Sequence, residues 1–504
     1  MRQFPSLALL LLLTALACSD ATGPLVPTGT TPADALGDPP RKIRVTNAAD
    51  AGPGSFRAAL EEASADPAVV GISFNAGIGD LIPASALTFT GTQALTIDAN
   101  MAVIVGDQCA CDALVFNTSA SVLLSRLSVH QVVSGVAIAV NVAESATGTL
   151  NVSLNQVHVD ASGKHALVVN DLAGSLADTN SAASAGSAAS LRVDIIASTF
   201  RSIANDIHPE TGTVYAIADQ DAVRINEGGD GDVIVNIRTA EFYQNGGDDV
   251  QVDERGNGSV DLRVDGAVFW YTGYFSAVGT GDGLRVEESD AGNLSVRATG
   301  AHFTGGRGQA IDLSENGAGD LYLYTARSTM FDGDDTRIVV REDDRVAGGG
   351  NLTVDLADDT HIATNGPWYS VQGPDPMESQ LVIHEKGEGH VDARLTRSGV
   401  NRGVWSGGIL VREDAGGNLR ATMRSFGNYG NAHSGLILDE NGAGDLIAAL
   451  TEGFLVGNGG YAIEATQEAP GAGSLSLTAM QIFENRGPSG DTPHIEGLVT
   501  VRYY

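Results

Sequence analysis

DGLRVEESDAGNLSVRATGAHFTGGRG (282–308) runs directly into QAIDLSENGAGDLYLYTARSTMFDGDD (309–335), and the two segments share one frame. The frame returns in GGILVREDAGGNLRATMRSFGNYGNAH (407–433) and SGLILDENGAGDLIAALTEGFLVGNGG (434–460), and first shows in DAVRINEGGDGDVIVNIRTAEFYQNGG (221–247). In each copy apolar residues stand two and four places before a Glu, as in Leu284/Val286 and Ile311/Leu313. A Gly-containing turn follows, then a second alternation (Leu294/Val296, Leu321/Leu323). A third apolar point comes last, at Phe242, Phe269, Phe303, Phe331 or Phe483. Period-two alternation predicts strands with one buried face. Three short strands per copy predict one coil of a parallel β-solenoid, which buries its face only by stacking on the next coil about 4.8 Å away.

The repeat resolves the chain's length. At ~150 residues per domain, 504 residues would suggest about three domains, but a solenoid is one core that lengthens. Regular coils are expected over 221–489. Weaker alternation in ALTIDANMAVIVGD, ALVFNTSASVLLSRLSVHQ and ATGTLNVSLNQVHVD extends the pattern towards the N-terminus. LADTNSAASAGSAAS, between Leu176 and Ser190, reads as a loop interrupting a coil. The net charge of −33 argues against a nucleic-acid partner, because phosphate contacts need clustered Lys and Arg.

RVTNAADAGPGSFRAALEEASADP (44–67) combines a strand, Gly-Pro-Gly-Ser and a short amphipathic helix. Ser55 reads as the N-cap, with Phe56, Ala59, Leu60 and Ala63 on one face. This segment resembles the opening of right-handed parallel β-helix proteins of the pectin-lyase-like superfamily, and the turns Phe242…Asn245-Gly246 and Phe483…Asn485 resemble that class's coil repeat. The resemblance spans 43–504. It implies an all-β, single-domain right-handed parallel β-helix over 41–504, with a cap (41–67) that covers the open end of the core. It says little about function.

MRQFPSLALLLLLTALA (1–17) has a basic start, an apolar run and a small-x-small end, the pattern of a secretory signal. Cys18 follows at once, and ALAC resembles the bacterial lipobox. That resemblance implies a lipid on Cys18 and attachment to a membrane, with Ser19 favouring the outer membrane or cell surface. Residues 18–40 read as a Pro/Thr/Gly tether. Cys109 and Cys111, in QCAC, lack further ligands at zinc spacing and read as reduced or loosely bridged loop cysteines.

Marking the Glu of each copy gives Glu227, Glu254, Glu288, Glu315, Glu342, Glu385, Glu413, Glu440 and Glu468. A Gly follows each: Gly231, Gly258, Gly292, Gly319, Gly350, Gly389, Gly417, Gly444 and Gly473. The parity is inward, so like charges would stack and repel. Three arrangements would offset that. The carboxylates could accept N–H bonds from the turns, or sit at the solvent rim. Or they could share Ca²⁺, with Glu288, Asn293, Glu315, Asp320, Glu342, Glu413, Glu440 and Asp445 as oxygen ligands.

Two further groups are candidate sites. Trp270, Tyr271, Tyr274, Trp368, Tyr369 and Trp405 fall in turns after third strands. They either pin long loops or form one platform for stacking sugar rings. Asp248, Asp249, Asp334, Asp335 and Arg337 are the candidates for catalysis, as in a Ca²⁺-dependent lyase or a hydrolase acting on polysaccharide. The polygalacturonase-like Asn-Thr-Asp, Gly-His-Gly and Arg-Ile-Lys set is absent, as is the lyase-like Trp-Ile-Asp-His. The expected function is binding, adhesion or scaffolding at the cell surface, with glycans as one partner. Polysaccharide cleavage is the alternative.

Overall fold

The computed structural model describes residues 39–172, 186–203, 220–273, 281–306, 308–331, 338–342, 349–358, 360–363, 379–401, 407–488 and 490–504. The strands form two parallel sheets, of 26 and 14 strands. One coil places Val223–Glu227 in the smaller sheet, then Val233–Arg238 and Glu241–Tyr243 in the larger. The next coil pairs with it in strict register: Val223 with Val250, Val233 with Val260, Phe242 with Phe269. The chain is therefore all-β, a right-handed parallel β-helix with a single short helix among the described residues. Pro40–Tyr504 is one compact unit.

Coils extend beyond the regular part of the sequence at both ends. Strands Leu87–Phe89, Leu114–Thr118, Ile138–Val142 and Leu167–Asp171 open the smaller sheet, and His494–Gly497 closes it. Leu167 pairs with Val223, and Leu191 with Leu150 and Val233, so the interruption falls within one coil, between its strands Leu167–Asp171 and Ala188–Ile196, and leaves the pairing with both neighbouring coils intact.

The second and third strands meet at a bend with its own signature. Thr239, Arg327, Asp358, Arg397, Ser425, Glu452 and Ala479 have φ between 49° and 54°, and Gly266 and Gly300 take the same place at φ 62° and 60°. One left-handed residue per coil turns the chain and reverses the face that the next side chain shows.

The helix Phe56–Ala65 covers the N-terminal end. Ser55 caps it, its Oγ accepting from Ala58 N at 3.2 Å, and Phe56, Ala59, Leu60 and Ala63 are buried, as expected. Phe56 meets Phe74 edge-on at 4.9 Å. Cys109 and Cys111 are joined as a disulfide, one of the two states the sequence allowed.

The main core is one continuous apolar cluster, beside two small buried ones at Val136, Ala139 and Val168 and at Val339, Val382 and Leu410. Within the main core Phe200, Phe242, Phe269 and Phe303 stack along the axis with centroids 5.2, 4.9 and 4.4 Å apart. The third apolar point departs from expectation after that. Met330, not Phe331, pairs with Phe303 and is buried, while Phe483 is exposed. Residue type alone does not separate two adjacent apolar positions, and strand parity decides between them.

Candidate functional site

Three groups of functional side chains can be placed. The first is the glutamate row. Register pairs Glu227, Glu254, Glu288, Glu315, Glu342, Glu385, Glu413 and Glu440 in succession, and every one is completely buried. The solvent-rim arrangement is therefore excluded. Glu468 is not in the row. Gln467 pairs with Glu440 and is buried, while Glu468 is exposed. The copy's glycine shifts with it, since Gly471 and not Gly473 sits against the Gly444 carbonyl. At the other end, Asp171 pairs with Glu227.

Turn amides bond the row, as the first arrangement required. Gly229 N donates to Glu227 Oε1 at 2.8 Å, Gly256 N to Glu254 at 2.8 Å, and Gly317 N to Glu315 at 2.7 Å. Glu288 and Glu413 each accept two amides, from Asp290 and Gly292 and from Ala415 and Gly417. The glycines are required by closeness. A Cβ on Gly258, Gly292, Gly319, Gly350, Gly389, Gly417 or Gly444 would lie 1.3–1.9 Å from the carbonyl oxygen of the turn glycine one coil before.

Asn293, Asp320 and Asp445 do not join these carboxylates. They are exposed on the outer side of the turn and form their own column. Asn293 Oδ1 accepts from Asp320 N at 2.8 Å, Asp320 Oδ1 from Asn351 N at 2.7 Å, and Asp445 Oδ1 from Ala472 N at 2.9 Å. Among the described residues no group of three or more His, Cys, Asp or Glu is arranged to hold a metal.

The second group surrounds Asp248 and Asp249, which are 3% and 0% exposed. Asp221, Asp248 and Asp282 form a column. Asp221 Oδ1 accepts from Asp248 N at 3.1 Å, and Asp248 Oδ1 from Asp282 N at 2.6 Å. Asp249 accepts from Asn245 Nδ2 at 2.6 Å and from the Thr272 hydroxyl. Burial pushes Asp249 up to about 7. Asp248 is driven well above the usual range by burial and by repulsion from Asp221 and Asp282. These two carboxyls are thus enclosed and bonded to the scaffold. Arg224 joins Asp221 and Asp253 beside them, at 3.2 and 3.1 Å. Asp334, Asp335 and Arg337 lie outside the described residues.

The third group is aromatic. Trp270 ends the strand Val268–Trp270 and is 46% exposed, and Tyr271 beside it is 38% exposed. Their rings lie 6.1 and 6.2 Å from that of Tyr243, one coil away. The Arg201 guanidinium sits over the Tyr243 ring at 5.3 Å, one coil further on. Four side chains on three successive coils thus make one surface patch. The sequence pointed to Trp270 and Tyr271. It missed Tyr243 and Arg201, although both end third strands in register with Trp270. Tyr274, Trp368, Tyr369, Trp405 and the proposed lipid attachment point Cys18 lie outside the described residues.

Tyr271 stands out by its backbone. Its φ is 59°, at a left-handed position that other coils fill with Ser202, Gln244, Gly305, Gly430, Gly457 and Glu484. Those residues have no aromatic ring. A bulky side chain at positive φ is uncommon and costs of order 1–2 kcal/mol; here the ring lies against Gly305 of the next coil.

No protein family matches the sequence, and no curated protein does. Among solved structures, a periplasmic alginate epimerase is similar over 85% of this chain and 79% of its own, at 12% identity and a TM-score of 0.31. That likeness carries no functional assignment.

Proposed function

We propose that the protein is an exported, lipid-anchored β-helix that binds glycans at the cell surface through the patch formed by Arg201, Tyr243, Trp270 and Tyr271. The observation that supports this reading is Tyr271, an exposed aromatic held at a strained backbone position next to an exposed tryptophan. Exposed aromatic faces stack on the apolar faces of sugar rings, and a guanidinium adds a donor fork for hydroxyl or carboxylate groups. The rigid solenoid would hold the rings ready before binding, which limits the ordering cost. In this reading residues 1–17 direct export, the lipid on Cys18 anchors the chain, and 18–40 tether the binding domain above the membrane.

The test is binding of the full chain to a panel of neutral and acidic glycans, repeated with Trp270→Ala. The expected outcome is retention of at least one glycan by the wild type and at least about tenfold weaker binding by the variant, equivalent to ~1.4 kcal/mol. Equal binding by both would remove the patch from the account.

A further inference from the structure

The glutamate row raises a question that turn amides do not answer. Each buried carboxyl has two oxygens, and at Glu227, Glu254, Glu288, Glu315, Glu385 and Glu413 the turns satisfy one. The other oxygens, Oε2 of Glu227, Glu254, Glu288, Glu315, Glu385 and Glu413, are buried and meet no N–H or hydroxyl donor. What they meet is the next carboxyl. Register stacks each carboxyl against that of the next coil, Glu227 on Glu254, Glu254 on Glu288, Glu288 on Glu315, Glu315 on Glu342, Glu342 on Glu385, Glu385 on Glu413, and Glu413 on Glu440. Two bare carboxylates cannot hydrogen-bond to each other, so one of such a pair must supply a proton.

We propose that the row is a chain of shared protons, in which Glu254 and Glu315 are carboxylic acids donating to the carboxylates of Glu227 and Glu288, and Glu440 is an acid donating to Glu413. Each pair then holds one proton, bonded to one oxygen and accepted by the facing one. Glu342 and Glu385 continue the chain between these members.

The two ends of the row support this. At Asp171 the outer oxygen has a real donor, because Ser187 Oγ gives a hydrogen bond to Oδ2 at 2.6 Å. At the other end stands Gln467, the permanently neutral counterpart of a protonated glutamate. Its Oε1 accepts from Leu446 N at 2.7 Å, as Glu440 Oε2 accepts from Leu419 N at 3.1 Å, and its Nε2 donates to the Gly444 and Glu468 carbonyls. The row thus ends where an ordinary donor becomes available.

The titration tendencies agree in phase. Burial, then the bonds to Glu227 and Glu288, push Glu254 up to about 10. Burial, then Glu288, push Glu315 up to about 10. Burial, then Glu413, push Glu440 up to about 8. Burial raises Glu227 to about 7, against a bond from Glu254 that lowers it. Charged groups beside the row face away. Arg255 meets Asp253, Asp414 meets Arg412 and His384, and Asp290, Lys386 and Glu468 are exposed. Asp171 is the charge that faces the row at its start, and it opposes ionisation of Glu227.

The sign of the pH effect follows. These folded-state values lie above the unfolded value of about 4.3, so the folded form holds the extra protons. Stability from the row is complete below about pH 4.3 and is lost as pH rises through 7 to 10.

The test uses the full chain. Infrared spectra with labelled glutamate at pH 7 should show a carboxylic-acid carbonyl band that disappears by alkaline pH. The unfolding midpoint of the wild type should fall between pH 5 and pH 9. Glu254→Gln with Glu315→Gln, which substitutes a fixed amide donor, should fall less and exceed the wild type at pH 9. Absence of the acid band at pH 7 overturns the proposal, whether or not the variant folds. So does a wild-type midpoint at pH 9 that is restored by Ca²⁺, which would make a cation the neutralising partner.

Discussion

Phe269→Ala should lower the stability of the protein by about 3–5 kcal/mol, the range for removing a fully buried aromatic ring. Phe269 is 1% exposed and lies between Phe242 and Phe303, at 4.9 and 4.4 Å, with rings parallel to within 6°. Its loss opens a cavity in the middle of a stack, where neither neighbouring coil can move inward without breaking register. Urea unfolding followed by circular dichroism reads the effect as a lower midpoint. Phe483→Ala supplies the contrast, because that ring is 44% exposed and should cost no more than about 0.5 kcal/mol. Equal effects at the two positions would contradict the register described here.

Gly319→Ala should be as damaging through a different cause. A methyl group there would lie 1.4 Å from the Gly292 carbonyl oxygen and 2.5 Å from its carbon. Both are backbone atoms, so no side chain can swing aside. Relief requires separating two coils at the turn beside the Glu288–Glu315 pair. The cost should reach or exceed the ~1–3 kcal/mol typical of overpacking. Gly416→Ala, three places after Glu413 on the outer side of its turn, has open space around the new methyl group. It should be neutral or stabilising by up to about 1 kcal/mol, by restricting the unfolded chain. The pair of variants, compared in the same unfolding assay, separates a close-contact role for the turn glycines from a merely compositional one.

The sequence made the coil legible because inward residues repeat with two periods at once. Leu284, Val286 and Glu288 alternate along a strand, and Ile311, Leu313 and Glu315 repeat them one coil later. The helix cap was equally plain, since Ser55 and the face of Phe56, Ala59, Leu60 and Ala63 obey local rules. The last glutamate was mistaken for a simple reason. Glu468 carries the expected chemistry, but Gln467 and Gly471 keep the spacing of four that Glu440 and Gly444 show. Spacing outranks residue type when backbone stacking fixes the register.

The site was less legible. Asp248 and Asp249 read as candidates for catalysis, yet in-register stacking encloses them with Asp221 and Asp282. Pairing of Asn293 with the glutamates failed to foresee that side chains one residue past the glycine point outward. Tyr243 and Arg201 join Trp270 only through pairing between coils 27 and 42 residues apart in sequence, as Tyr243↔Trp270 and Arg201↔Tyr243.

Tyr271→Gly tests the central claim most directly, because the two roles open to that residue predict opposite results. Glycine suits φ 59° better than tyrosine does, so the fold should gain or hold stability. If the ring serves ligand binding, the variant keeps or raises its unfolding midpoint while its affinity for the glycan held by the wild type falls at least about tenfold. If the ring instead pins a loop to the solenoid, the midpoint falls and glycan binding is unchanged, and that result would contradict the account.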